Sequence, residues 1–107
     1  MIIKIDYYFT ATGKAPFIDW LNELDLTTRA VIKTRIDRMS LGNFGDCKRI
    51  VDGEGIWELR IDYGPGYRIY LGQKYRMLVF LLLGGNKSSQ KRDISKAKRF
   101  WRELQES

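Results

Sequence analysis

The feature that most constrains the fold is a run of seven apolar residues, Met77–Leu83, which contains no charged side chain. A strand with one face in water alternates apolar and polar side chains, whereas this run is apolar at every position. It is far shorter than the roughly 20 residues that a membrane-spanning helix needs. We therefore predict an interior strand of a sheet that is covered on both faces by other parts of the chain.

Apolar side chains also recur at regular spacing before and after this run, and this spacing predicts a further strand and the helices that cover the sheet. Residues 2–9 alternate, with Ile3, Ile5, Tyr7 and Phe9 on the apolar face, which predicts a strand. Apolar side chains at helical spacing predict one helix over residues 16–24 and a second after Asp25. The same spacing predicts a last helix, which begins after Ser88 or Ser89.

The middle of the chain contains two more strand candidates, residues 56–63 and 67–71. Gly64-Pro65-Gly66 joins these two, and residues 72–76 lead from the second into the apolar run. Loops this short place neighbouring strands antiparallel. The predicted order is therefore β-α-α-β-β-β-α, a small α+β protein with an antiparallel sheet and helices packed on it, forming one domain over residues 1–107.

The apolar residues of the central hairpin predict its register. They lie on the same side of the sheet if Tyr63 is opposite Tyr67, with residues 64–66 as a three-residue loop. In that register Asp62 lies opposite Arg68, and Arg60 is a diagonal neighbour of Arg68. Two guanidiniums on a rigid sheet can bind a phosphate through bidentate contacts. The other interpretation is a solvated face with an Asp62–Arg68 ion pair.

The charge distribution indicates where an anionic partner would bind. The chain has 19 Lys and Arg against 13 Asp and Glu, a formal net charge of +6. Residues 1–46 contain 6 basic and 6 acidic side chains, and residues 47–107 contain 13 and 7, so the whole excess lies in the second segment. Such an excess fits nucleic acid, an acidic protein or a membrane surface, and it also occurs merely for solubility.

The residue types that are missing exclude several chemistries. There is no histidine, which rules out a histidine triad, a histidine general base and histidine metal ligands. The lone Cys47 cannot form an intrachain disulfide or a thiolate zinc site. We expect no metal and no cofactor, and a reduced, cytoplasmic location fits the single cysteine.

The segment Gly84–Ser89 leads from the apolar run into the last helix, as phosphate-binding loops do. Its spacing is not that of a Walker A motif, since Leu81 and Asn86 stand where glycines should be. Two interpretations are left. Either Lys87 and the helix N-terminus contact an anion together, or the segment is a glycine-rich turn with a serine cap.

Three segments in order, PFIDWLNEL (16–24), WELRIDYGPGYRIYLG (57–72) and LVFLLLGGNKSSQKRDISKAKRFW (78–101), resemble the RelE/ParE-type toxin superfamily. They are most similar to its HigB-like branch, the addiction-module killer proteins. The resemblance implies a compact RelE-like fold. It also implies the toxin of a type II toxin-antitoxin module, a ribosome-dependent mRNA endonuclease that needs no metal.

The resemblance also implies site residues. Arg68 matches the arginine that contacts the scissile phosphate, Arg60 a basic position on the preceding strand, and Lys87 a basic loop residue. Glu58 stands where a lysine often serves as base, and the C-terminal tyrosine or histidine of several members is missing. The predicted catalytic set is therefore Arg68, Arg60 and Lys87, with Glu58 or Tyr70 as base. The predicted nucleic-acid contacts are Lys48, Arg49, Arg60, Arg68, Lys87, Lys91 and Arg92.

Two other functions stay open at this point, a gyrase poison and a non-catalytic co-repressor that binds nucleic acid. The partners implied are a cognate antitoxin, expected to be a helix-turn-helix DNA-binding protein, and the ribosome with its mRNA. Operator DNA is expected only through the antitoxin complex, and no membrane is expected.

Overall fold

The computed structural model describes residues 2–106. The α+β class and the predicted order of elements are confirmed, with one additional strand. The elements are β1 (Lys4–Tyr7), α1 (Pro16–Asn22), α2 (Leu26–Ser40), β2 (Cys47–Arg49), β3 (Trp57–Ile61), β4 (Tyr67–Lys74), β5 (Leu78–Asn86) and α3 (Gln90–Glu106), with a 3₁₀ turn at Lys87–Ser89 before α3.

The strands form one sheet in the order β1-β5-β4-β3-β2. The neighbours β2 to β5 pair antiparallel, as short loops require, but β1 pairs parallel with β5. The expectation of a purely antiparallel sheet is wrong at this pair. Because β1 and β5 are far apart in the chain, no short connection dictates their relative direction.

Strand β5 is covered on both faces, as its apolar run predicts. Helices α1 and α2 cover one face with buried side chains such as Phe17, Leu21 and Ile32. Helix α3 covers the other face with Ala97 and Trp101. Of residues 2–106, no helix is both long and apolar enough to cross a membrane.

Close helix packing explains why β5 continues through Gly84 and Gly85, which the sequence interpretation placed in a loop. A Cβ added to Gly84 would lie 2.2 Å from the Trp20 ring of α1. One added to Gly85 would lie 1.9 Å from Oδ2 of Asp93 in α3. The two glycines are strand residues because helices on opposite faces contact the bare backbone there.

We expect Gly84→Ala to lower the free energy of unfolding by about 1–3 kcal/mol, because the methyl group overlaps the Trp20 ring. Urea unfolding measures the loss. The smaller ring-free side chain in Trp20→Leu should make room for the methyl group, so Gly84→Ala should cost less in that background. An equal cost in both backgrounds would contradict the packing explanation.

The hairpin register differs from the prediction by two residues. Ile61 is opposite Tyr67 and Arg60 is opposite Arg68, so the turn spans residues 62–66. The apolar side chains still share one face, since a shift of two preserves it. The backbone N–H groups of Tyr63 and Gly66 bond locally to the carbonyls of Ile61 and Tyr63, which takes Asp62 and Tyr63 out of the ladder.

The two ends of the sheet also differ from the prediction. The sequence did not predict strand β2, because a three-residue strand with two exposed cations shows no alternation of apolar and polar side chains. In the first segment, Tyr8 is outside the predicted apolar face but is buried, since α3 covers it and Phe100 stacks on it at 4.7 Å. Phe9, expected in the core, is 56% exposed because β1 ends at Tyr7.

Candidate functional site

Arg60 and Arg68 form the centre of the site, directly opposite each other on β3 and β4. Like charges in opposite positions repel each other unless an anion lies between them. Glu58 provides that anion from the same face of β3. Its Oε1 accepts hydrogen bonds from Nε of Arg60 and Nη1 of Arg68, both at 3.1 Å.

Glu58 is itself buried, with 5% of its side chain exposed. Its second oxygen, Oε2, accepts a hydrogen bond of 2.8 Å from Nε2 of Gln90, the first residue of α3. Burial would raise the pKa of Glu58, but the hydrogen bonds from Gln90 and Arg60 and the charge of Arg68 outweigh it. The net result is a lowered pKa, and Glu58 is a carboxylate at neutral pH.

The two arginines differ in exposure, which divides their roles. The Arg68 side chain is 13% exposed and is therefore held in place by its surroundings. The Arg60 side chain is 46% exposed and reaches the solvent. A phosphate that approaches from solvent would meet one fixed guanidinium and one that is free to adjust.

Lys87 lies in the same cleft as the two arginines. Its backbone N–H donates to the carbonyl of Gly66 at 3.0 Å, so the turn after β5 lies against the turn between β3 and β4. The cleft has a volume of about 330 Å³, and Arg60, Arg68 and Lys87 line it together with the carboxylates of Asp46 and Asp62. The predicted Asp62–Arg68 ion pair does not form, because Arg68 binds Glu58 instead.

Tyr70 lies opposite Glu58 on β4 but is completely buried beneath α3. Its hydroxyl makes no hydrogen bond with any of the residues the structure describes. Burial, followed by the nearby carboxylates of Glu58 and Asp93, raises the pKa of this phenol. A buried phenol that holds its proton tightly is a poor candidate for either a base or a substrate contact.

The other predicted nucleic-acid contacts surround the site. Lys48 is exposed on β2, opposite Glu58, and Arg49 is exposed one residue further. Lys91 and Arg92 are exposed in the first turn of α3. Cys47, the first residue of β2, is partly buried. Burial raises the pKa of its thiol to about 11, so the thiol stays protonated at neutral pH.

The sequence interpretation missed Gln90, the residue of α3 that supports Glu58. Gln90 belongs to the quoted motif, but nothing in the sequence shows that its amide reaches across to β3. Asp93, in the first turn of the same helix, is buried and accepts a hydrogen bond from Ser89, which the sequence does not show either. The predicted serine cap is wrong, because the side chain of Asn86 caps the 3₁₀ turn by accepting from the N–H of Ser88.

The fold that carries this arginine pair is RelE-like. The structure is similar to a mutant of the E. coli toxin RelE in the free state, with a TM-score of 0.61, 16% sequence identity and coverage of 92% of this chain and 97% of that one. The predicted RelE-like fold is confirmed.

The chain belongs to the family described as Phage derived protein Gp49-like (DUF891), whose model matches residues 19–102. It is 51% identical over 89 residues to an uncharacterized protein of Haemophilus influenzae. The aligned region covers 82% of this chain and 88% of that protein. The region that the family model matches contains every predicted site residue.

Proposed function

We propose that this protein is the toxin of a toxin-antitoxin module of the HigB-like branch and cuts mRNA on the ribosome. The observation that carries the proposal is the pair of guanidiniums, Arg60 and Arg68, which lie opposite each other on a rigid sheet and line one cleft with Lys87. Three cations in one cleft suit the negative charge that develops on a phosphate during cleavage. The RelE-like fold supports the same function.

The chemistry uses the RNA's own 2′-hydroxyl as nucleophile. The 2′-oxygen loses its proton to a base and attacks the adjacent phosphorus, the bond from phosphorus to the 5′-oxygen breaks, and a 2′,3′-cyclic phosphate forms. Arg60 and Arg68 stabilise the pentavalent intermediate, and Lys87 donates the proton that the leaving 5′-oxygen takes up. Arginine does not act as the base, because its unperturbed pKa is far above neutrality.

Glu58 is the base in this proposal, because it is ionised at neutral pH and contacts both arginines, whereas the phenol of Tyr70 has a raised pKa and keeps its proton. In the free protein both guanidiniums donate to Oε1 of Glu58, and these contacts weaken it as a proton acceptor. When a phosphate binds, the arginines donate to the phosphate instead. Glu58 then loses the hydrogen bonds from the arginines, keeps the one from Gln90 and gains a nearby negative charge, so substrate binding raises its basicity.

The ribosome contributes alignment of the RNA in this proposal. In-line attack requires the 2′-oxygen, the phosphorus and the 5′-oxygen to be close to collinear, and correct orientation is worth up to about 7–11 kcal/mol in intramolecular reactions. We therefore expect the activity in the cytoplasm, on translating ribosomes.

Neutralisation requires an antitoxin, which we expect to be a helix-turn-helix protein encoded beside this one. The excess of positive charge in residues 47–107 would attract an acidic segment of that partner at a high rate. Operator DNA would be bound by the antitoxin, with the toxin as part of the complex.

The experiment that tests the function is induction of the protein in cells, followed by primer extension on mRNA from translating ribosomes. We expect new 5′ ends inside codons, together with arrest of translation. Induction of DNA damage with intact mRNA would instead identify a gyrase poison. A protein that neither cuts mRNA nor arrests growth would be a co-repressor, and the nuclease proposal would be wrong.

A further inference from the structure

A second cleft lies at the other end of the β3–β4 hairpin from the arginine site. The loop of residues 50–55, the turn between β4 and β5 and the end of α3 form it, and its volume is about 650 Å³. We call it the tryptophan cleft, because Trp57 and Trp101 line it. Trp57 is three residues before Arg60 on β3, about 10 Å along the strand, and its side chain is on the opposite face of the sheet.

Unfavourable backbone conformations are concentrated around this cleft. In residues 2–106, the non-glycine residues with positive φ are Asp52 (57°), Glu54 (56°), Tyr75 (55°) and Arg76 (65°). All four belong to the two loops that border the cleft, and three of them line it. A residue with a side chain adopts the left-handed backbone conformation at a higher free energy than glycine does. Each of these four positions therefore has a local conformational cost that glycine would avoid.

The side chains that line the cleft have a definite chemistry. Arg49 and Arg76 supply two guanidiniums, and the half-buried indole of Trp57 supplies an aromatic surface. The carboxylate of Glu54 is already paired with Arg102 at 3.4 Å, so Asp52 is the acidic group of the cleft without an ion-pair partner among residues 2–106. Guanidiniums bind phosphates, and indoles stack on nucleic-acid bases.

We propose that the tryptophan cleft binds one nucleotide of the single-stranded RNA that the arginine site cuts. This inference rests on the proposed function. A base stacks on Trp57, while Arg49 and Arg76 bind the phosphates on either side of it. An RNA strand that contacts both sites passes round the edge strand β2, where Lys48 is exposed opposite Glu58 and Arg49 is exposed opposite Trp57, so the cleft selects where along the mRNA the cut falls.

The test compares two variants that relieve the same backbone cost. Arg76→Gly removes a guanidinium from the cleft, whereas Tyr75→Gly changes the neighbouring turn residue, which lies outside the lining. Both should unfold at a higher temperature than the wild type, because glycine adopts positive φ freely. Only Arg76→Gly, alone or combined with Arg49→Ala, should weaken RNA binding. If Arg76 affected stability alone, Arg76→Gly and Tyr75→Gly would bind RNA equally well.

The probe is a short single-stranded oligoribonucleotide with 2′-O-methyl groups, which cannot be cut by the proposed mechanism. Binding is followed by tryptophan fluorescence at several salt concentrations. We expect the double variant Arg49→Ala/Arg76→Gly to bind about tenfold more weakly or worse. The slope of log affinity against log salt should decrease by about 0.7 for each guanidinium removed.

Three results would overturn the inference. One is that the double variant binds the oligonucleotide with the affinity and salt slope of the Tyr75→Gly control. Another is that the double variant cuts mRNA at the same positions and with the same KM as the wild type. The third is unchanged RNA binding with loss of the antitoxin complex, which would make the cleft a protein-docking site. Because the oligonucleotide is not cut, binding at the cleft is measurable even if the protein proves not to be a nuclease.

Discussion

Arg68→Ala is expected to abolish growth arrest and to lower the rate of mRNA cleavage by about 10²–10³-fold. Arg68 is the less exposed of the two arginines and is held by Glu58, so it presents a fixed donor to the phosphate. Its replacement removes a charged hydrogen-bond donor where negative charge develops. The measurement is growth after induction, together with single-turnover cleavage on purified translating ribosomes.

The Arg68→Ala variant should remain folded, because Glu58 keeps its hydrogen bonds to Arg60 and Gln90. Circular dichroism and thermal unfolding check this. Lys33→Ala is the matched control, since it removes one positive charge from an exposed position on α2. Arg68→Lys should have intermediate activity, because an ammonium keeps the charge but not the bidentate geometry. Full toxicity in a folded Arg68→Ala variant would falsify the assignment of this residue.

Glu58→Gln is expected to lower kcat by about 10²–10⁴-fold, the usual contribution of a general base. Glutamine has nearly the same shape and keeps an oxygen that can accept from the arginines, but it cannot take a proton. In the wild type kcat/KM should stay constant from pH 7 down to about pH 5, because the pKa of Glu58 in the free protein lies below its usual value. Below that range activity should fall as the carboxylate becomes protonated.

Comparison of Glu58→Ala with Glu58→Gln shows whether Glu58 accepts the proton or only positions the two arginines. If Glu58 only orients the two guanidiniums, Glu58→Gln should keep most of the activity and Glu58→Ala should lose it, since alanine leaves both arginines without an acceptor. If Glu58 is the base, both variants lose activity and the acid limb of the pH profile disappears. Near wild-type kcat in Glu58→Gln would therefore end the proposal that Glu58 accepts the proton.

Much of the architecture can be predicted because it depends on the spacing of apolar residues within short segments of the chain. The apolar run at Met77–Leu83 requires coverage on both faces, and the structure places helices there. Asp25 caps α2 by accepting from the N–H of Thr28, as a short acidic side chain before a helix does. These relations involve neighbours in the chain, so the sequence displays them directly.

The hairpin shows where such prediction stops. Alternation determines which side chains share a face, so any register shifted by an even number of residues satisfies it equally well. The choice between Arg60 opposite Arg68 and Arg60 opposite Tyr70 depended on the local hydrogen bonds of the turn at residues 62–66. That difference changes a diagonal arginine pair into a direct one, with Glu58 between the two charges.

The sequence by itself determined the α+β class, the order of most elements and the cations of the candidate site. It also located the whole excess of positive charge in residues 47–107. Only the tertiary structure decided that Gln90 supports Glu58 from α3, that Tyr70 is buried, and that the tryptophan cleft lies beyond β3. The reason is that side-chain type and period are properties of neighbouring residues, whereas burial and long-range hydrogen bonds depend on how distant segments pack.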